Sequence, residues 1–220
     1  ANFAYSVSHD LRAPLRPMHG FSNALLEDFG DSLDETGRDY ARRIVAGATR
    51  LDELIKDLLS YSRLTREEIP LQPVSLDRIV EDVLTALRAS ISEKEAEVEV
   101  RRPLGSVQGH PAVLVQAPSN LLDNALKFVG PGIRPRVAVR SEAADGRLRL
   151  WVEDNGIGIA PEHQQRIFEV FQRLHSHAEY AGTGIGLAIV RKSIERLGGK
   201  VGLESTAGSG SRFWIELKEA

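Results

Sequence analysis

Apolar residues recur at alternating three- and four-residue intervals in two stretches near the start of the chain. Ala4, Val7, Leu11, Pro14, Met18, Phe21 and Leu25 make the first, and Tyr40, Ile44, Gly47, Leu51, Leu54, Leu58 and Tyr61 the second. This is the a/d seam of packed helices. Residues 27–37 between them are acidic and hold Gly30, Ser32 and Gly37, a turn composition. The pattern predicts two long amphipathic helices folded back as an antiparallel hairpin. One hairpin has too narrow a core to stand alone, so two are expected to pair as a homodimeric four-helix bundle.

Beyond residue 67 the periodicities mix. Residues 68–73, with Pro70 and Pro73, read as a linker, which divides the chain into 1–67 and 74–220. Helical patterns cover 76–91, 111–128, 161–171 and 184–197, the last stopped by Gly198-Gly199. Strand patterns cover 96–101, 136–143, 147–154, 200–205 and 211–217, with a hairpin turn at Asp145-Gly146. Segregated helices over mostly antiparallel strands predict an α+β sandwich, helices covering one face of a sheet.

Composition narrows the chemistry. The chain has 220 residues, 42% of them hydrophobic, and 28 Lys+Arg against 31 Asp+Glu for a net charge of −3. That balance is not the basic one of a nucleic-acid binder, and no nucleic-acid partner is expected. Residues 1–70 hold 9 basic and 12 acidic residues and 71–220 hold 19 of each, so the net charge lies in the hairpin. With no cysteine, a thiol nucleophile and any Cys-ligated metal are excluded. No apolar run approaches a membrane span, so a cytoplasmic fragment is expected. The chain opens at Ala1 without an initiator methionine, so an upstream segment is expected to be missing.

His9 stands out against the first seam. Val7 at d and Leu11 at a put His9 at f, farthest from the helix partner. Spacing alone makes it a solvated surface histidine. Asp10, however, can hold one imidazole nitrogen and leave the other nucleophilic. Pro14 removes the donor for the Asp10 carbonyl and predicts a kink one turn later.

Four further clusters follow. Asn120, Asn124 and Lys127 form one polar stripe at i, i+4 and i+7, opposite Leu121, Leu122, Ala125 and Phe128. Neutral amide oxygens and an ammonium suit a magnesium–phosphate group, although an ordinary solvent face has the same look. Asp154-Asn-Gly156-Ile-Gly158 closes a strand; it reads either as a plain turn or as a carboxylate accepting from an adenine amino group. Gly182-Thr183-Gly184-Ile-Gly186 opens a helix whose free N–H groups can receive a phosphate, yet it is neither a dinucleotide fingerprint nor a P-loop. Phe168, Phe171 and Arg173 precede a polar stretch, residues 175–181, that reads as a mobile lid or as a plain surface loop.

Taken in order, these motifs resemble those of sensor histidine kinases of two-component systems over nearly the whole chain. Residues 8–15, Ser-His-Asp-Leu-Arg-Ala-Pro-Leu, are similar to the H-box of a dimerisation and phosphotransfer domain. Residues 120–128, 154–158, 168–171 and 182–186 resemble the N, G1, F and G2 boxes. The resemblance implies a Bergerat-type ATP-binding sandwich of the kind shared with gyrase B and MutL. It implies His9 as phosphoacceptor with Asp10 as its helper, and ATP and Mg²⁺ as cofactors. Asn124 with Asn120 nearby would ligate Mg²⁺, and Lys127 and Arg173 would meet phosphate. Asp154, with Gly156 and Gly158, would read adenine, and Gly182, Thr183, Gly184 and Gly186 would complete the ATP site. Implied partners are a second copy of the chain, a response-regulator receiver domain taking the phosphoryl group on aspartate, and an upstream sensor. The stretches 171–175 and 182–192 resemble kinases attached to phytochrome-like or PAS sensors.

Two departures qualify the resemblance. Ala13 stands where many relatives carry Thr or Asn tied to dephosphorylating the regulator, which predicts a kinase with weak phosphatase function. Pro118 lies inside the predicted Asn-bearing helix, where a proline costs ~3 kcal/mol. It predicts a kink or irregular first turns, and it leaves open a dimeric signalling scaffold with a weakened ATP domain. A third reading is an ATP-driven clamp. The ATPase relatives carry Glu where this chain has Asn120, and an amide cannot act as a base.

Overall fold

The computed structural model describes the backbone of residues 2–63, 69–174, 180 and 182–220, and the side chains of 11–62, 69–174, 180 and 182–220. The chain divides into two compact units, Ala1–Thr65 and Arg66–Ala220.

The first unit is a helical hairpin, α1 (Asn2–Phe29) and α2 (Glu35–Arg63). Pro14 and Pro17 both lie inside α1. At its end the Ser32 and Leu33 N–H groups donate to the Phe29 carbonyl at 2.9 and 3.0 Å. The Asp34 carboxylate then caps α2 by accepting the Gly37 N–H at 2.7 Å. Arg12 of α1 reaches Asp52 of α2 at 2.9 Å, beside Lys56 at 2.7 Å. The hydrogen bond from Lys56, aided by Arg12, holds the Asp52 carboxyl below its ordinary range.

The predicted seam is not what the two helices bury against each other. Leu15 and Ser22 of α1 and Ala41, Ala48 and Ile55 of α2 are buried. Leu11, Met18, Phe21, Leu25, Tyr40, Ile44, Leu51 and Leu58 stay exposed. Small Ala41 and Ala48, one heptad apart, let α1 approach closely. The bulkier seam residues form a second apolar strip facing outward.

The second unit has a five-stranded sheet in the order β2-β4-β5-β7-β6. The strands are β2 (Glu97–Val100), β4 (Arg136–Ala144), β5 (Arg147–Asp154), β6 (Lys200–Ser205) and β7 (Ser211–Lys218). Only β2 and β4 run parallel. The β4–β5 turn places Asp145 and Gly146 at φ 52° and 69°, the left-handed pair of the predicted tight hairpin. A small antiparallel pair, β1 (Gln72–Ser75) with β3 (Ser106–Gly109), was not legible as strand, and β1 takes in Pro73.

The predicted helix 76–91 breaks at Leu87 into α3 (Leu76–Ala86) and α4 (Arg88–Glu93). Residues 111–128 likewise form α5 (Pro111–Leu114) and α6 (Gln116–Lys127), broken at Val115. Pro118 is thereby the third residue of α6, in a first turn whose N–H groups have no helical partner. Its ring is buried and its missing donor costs nothing, which removes the ground for a damaged ATP domain. Pro118→Ala is accordingly expected to lower the unfolding free energy by about 1 kcal/mol in urea. An interior helix proline would instead give a gain of ~3 kcal/mol.

Residues 161–171 do not form the predicted α-helix. They make two 3₁₀ turns, Pro161–His163 and Arg166–Phe168. The Gln164 amide between them donates to the Ile159 and Ser205 carbonyls at 3.0 and 2.9 Å, so tertiary bonds replace helical ones. The last helix is α7 (Gly186–Arg196). Helices α6 and α7 pack on one face of the sheet, with α3 against α6. Leu121, Leu122, Val139, Leu150, Val152, Ile189, Ile194, Ile215 and Leu217 fill the core.

The other sheet face carries both tryptophans in one cross-strand row, Arg140–Trp151–Trp214–Gly202. Trp151 is only 4% exposed because the Arg140 and Arg149 guanidinium groups lie over its ring at 4.9 and 5.7 Å. Among the described residues no helix is long and apolar enough to cross a membrane.

Candidate active site

His9 and Asp10 lie in α1, but their side chains, and so the imidazole–carboxylate pairing expected of them, fall outside the described residues. The remaining site residues converge in the second unit. Along α6, Asn120, Asn124 and Lys127 sit on the half-exposed face, while Leu121, Leu122, Ala125 and Leu126 are buried. The Asn120 amide donates to the Gln116 carbonyl at 2.8 Å. A Cβ on Gly186 would stand 2.7 Å from Asn120 Oδ1, so the first turn of α7 abuts this asparagine only because Gly186 has no side chain. Among the described residues no side chain caps α7, so its leading N–H groups can receive an anion. Lys127 Nζ reaches the same region, 2.7 Å from where a Cβ on Gly182 would be.

Phe128 is the C-cap of α6 rather than a core residue; its half-exposed ring lies 5.1 Å beneath Lys127 Nζ. Its carbonyl accepts the Ile157 N–H at 2.9 Å, which ties the turn after β5 to the end of α6. In that turn a Cβ on Gly156 would meet the Phe128 oxygen at 2.2 Å. Gly158, at φ 67°, presses on the Thr206 carbonyl, 2.0 Å from any added Cβ, and admits no other residue.

Asp154 closes β5 opposite Val137 and Ser211 of the neighbouring strands. Its Oδ1 accepts the Gly156 N–H at 2.8 Å and the Ser211 N–H at 3.1 Å. Among the described residues no bond falls on Oδ2, the oxygen left for a ligand. Burial pushes the Asp154 pKa up to about 6 although both donors favour the ionised form. Behind it the Ser205 hydroxyl donates to the Gly210 carbonyl at 2.8 Å, accepts the Ile159 N–H at 2.9 Å and meets Ser211 Oγ at 2.9 Å. Sequence reasoning missed Ser205, Ser211 and Gln164; the only signal was the serine at each end of the glycine-rich turn between β6 and β7.

The Phe168 ring meets Phe213 edge-on at 6.4 Å. Phe171 is exposed, with φ at 64°, and its N–H donates to the Gly184 carbonyl at 2.9 Å. Gly184, at φ 75°, leaves no room for a Cβ beside Gln172 and Arg173. The Thr183 hydroxyl accepts the Ile185 N–H at 3.3 Å. Arg173 Nη2 donates to the Tyr180 carbonyl at 3.1 Å. Of the predicted lid, residues 175–179 and 181 lie outside the described set. Tyr180, another residue missed in the sequence, has its ring against Phe128 with centroids 5.3 Å apart.

The arrangement therefore offers a half-buried carboxylate at one end and cations with uncapped helical N–H groups at the other, joined by the Asn-bearing face of α6. Comparison with known proteins agrees with a nucleotide-binding shape. Residues 109–220 match the histidine kinase-, DNA gyrase B-, and HSP90-like ATPase family, and residues 1–67 the His Kinase A phospho-acceptor domain. Cyanobacterial phytochrome B of Nostoc sp. is 37% identical over 218 residues, covering 99% of this chain and 29% of the relative. The sensor histidine kinase AruS of Pseudomonas aeruginosa is 36% identical, covering 100% of this chain and 23% of the relative. The chain thus spans less than a third of the length of these relatives. The crystal structure of full-length ShkA in complex with AMPPNP superposes at a TM-score of 0.72 with 31% identity, covering 99% of this chain and 46% of that one. The mycobacterial sensor histidine kinase MprB superposes at 0.59 with 31% identity, over 68% of this chain and 97% of that one. On a phosphoacceptor hairpin followed by an ATPase-type sandwich, the chain belongs to the sensor histidine kinases of two-component systems.

Proposed function

We propose that this chain transfers the γ-phosphoryl group of ATP to His9 and passes it to an aspartate of a response-regulator receiver domain, acting as a homodimer through its hairpin. The observation that carries the reading is the pairing of Asp154, with Oδ1 engaged and Oδ2 open, with the uncapped start of α7 packed against Asn120. Asp154 accepts from the adenine amino group, and Gly156 and Gly158 let the base approach. Lys127, Arg173 and the N–H groups around Gly182, Thr183, Gly184 and Gly186 meet the phosphates. The exposed strip of Phe21, Leu25, Tyr40, Ile44 and Leu51 supports the dimer, because a second copy would take it out of water.

Among the described residues no cluster of His, Cys, Asp or Glu could hold a metal by itself. The amide oxygens of Asn124 and Asn120 would hold Mg²⁺ together with oxygens of the nucleotide, and the ion would supply charge neutralisation at the phosphates. Phosphoryl transfer then needs mainly position and charge. A ring nitrogen of His9 bonds to the γ-phosphorus as the bond to the β–γ bridging oxygen breaks and ADP leaves; Asp10 stabilises the imidazolium. Asn120 cannot activate water, which favours transfer over hydrolysis. Ala13 cannot orient a water either, so phosphatase action on the regulator is expected to be weak.

The test is incubation with γ-labelled ATP and Mg²⁺. Protein-bound label that is acid-labile and base-stable is the expected result. Tight ATP binding with steady phosphate release and no label would overturn the reading.

A further inference from the structure

Three parts of the second unit meet at Phe128 and Val129, the two residues after Lys127. The turn after Asp154 arrives through the Ile157 N–H, which donates to the Phe128 carbonyl at 2.9 Å. The chain entering α7 arrives through Tyr180. Its ring packs on Phe128 at 5.3 Å, and its hydroxyl donates to the Val129 carbonyl at 3.0 Å. Arg173 arrives through the Tyr180 carbonyl, to which Nη2 donates at 3.1 Å. Lys127 Nζ lies 5.1 Å over the Phe128 ring.

Arg173 is therefore bonded to the Tyr180 backbone carbonyl, and Lys127 lies over the Phe128 ring on which the Tyr180 ring packs. Asp154 is held by the Gly156 and Ser211 N–H groups, and the bond from Ile157 is backbone to backbone; no Tyr180 side-chain atom takes part in these. Lysine and arginine each carry about 2 kcal/mol of rotamer entropy, so cations already held near a working geometry bind an anion better than free ones.

We propose that Tyr180 is a positioning residue that clasps the end of α6 to the chain entering α7 and thereby sets Lys127 and Arg173 for the nucleotide phosphates. The inference rests on the reading of this site as an ATP site. A tyrosine that merely packs would, when removed, weaken every ligand of the site alike. A clasp acting on the two cations weakens ligands in proportion to their phosphates and leaves the base alone.

The experiment compares ATP and adenosine affinity, by NMR titration of the full chain, for Tyr180→Phe and Tyr180→Leu. Tyr180→Phe keeps the ring and loses only the bond to Val129. It is expected to weaken ATP about fivefold, the worth of one neutral hydrogen bond. Tyr180→Leu also loses the aromatic contact and should weaken ATP at least about twentyfold. Adenosine affinity should stay within about twofold of the parent in both. Parallel losses for ATP and adenosine, or ATP affinity in Tyr180→Leu within about twofold of the parent, would overturn the proposal. The outcome is separable from that of the labelling assay. Label without the affinity difference retires the clasp and keeps the reaction; the difference without label does the reverse.

Discussion

His9→Gln is expected to remove all protein-bound label while leaving ATP affinity within about twofold of the parent. Glutamine keeps a polar side chain of similar reach but has no nitrogen lone pair able to attack phosphorus, so the rate should fall at least about a thousandfold. The chain has no cysteine to substitute as nucleophile, and its other histidines lack the His9 setting of an adjacent carboxylate inside the hairpin. His19, on the same helix, is already engaged with the Asn23 amide at 3.2 Å, so His19→Gln is the matched control and should keep its label. His9 belongs to the first compact unit and every proposed nucleotide contact to the second, which is why binding and labelling should separate. Label persisting in His9→Gln would place the phosphoryl group elsewhere and end the assignment.

Asp154→Asn should lose ATP affinity by more than about a hundredfold and at the same time stabilise the fold above pH 6. The two effects share one geometry. The Gly156 and Ser211 N–H groups both need an oxygen at the Oδ1 position, so asparagine must put its carbonyl there. Its NH₂ then takes the place of Oδ2 and points a donor at the adenine amino group, itself a donor. For stability the sign follows from burial, which raises the Asp154 pKa from 3.8 to about 6. The folded state holds this proton more tightly than the unfolded one, so ionisation destabilises the fold as pH rises through about 6, and below about 4 the carboxyl is neutral in both states. The full penalty is at most about 3 kcal/mol, and asparagine removes it at pH 8 while changing little at pH 4. Thermal unfolding at the two pH values checks this, and an equal shift at both would show that the charge is not the cause. In the parent chain ATP affinity should decline as pH falls through about 6, a dependence that Asp154→Asn should abolish.

The amide stripe, the strand-end carboxylate and the glycine turn before α7 were legible because each lies within one element, where a period of 3.6 or 2 fixes the face. The same holds for the Asp145-Gly146 hairpin, whose two positive φ values are a local demand on two residues. Boundaries were less legible. The breaks at Leu87 and Val115 keep the helical period on either side, and the 3₁₀ turns at 161–168 flank Gln164, whose amide bonds to the Ser205 carbonyl 41 residues along the chain.

The hairpin shows the limit most clearly. Its apolar spacing required two packed helices, but a period cannot say which of two adjacent strips faces the sister helix. The strip that holds the small Ala41 and Ala48 is the buried one, and the bulky seam is left outside. Tyr180, Ser205 and Ser211 likewise carry no local signal, since a hydroxyl in a polar stretch reads the same whether it bonds water or a carbonyl fifty residues away. Sequence alone determined the order of the long helices and of the five strands of the main sheet, the candidate nucleophile and the polar faces, all consequences of short-range spacing. Only the tertiary structure decided which faces meet, which oxygen of Asp154 is already taken, and that Tyr180 packs on Phe128 and bonds the Val129 carbonyl, because contacts between distant segments are chosen by mutual fit.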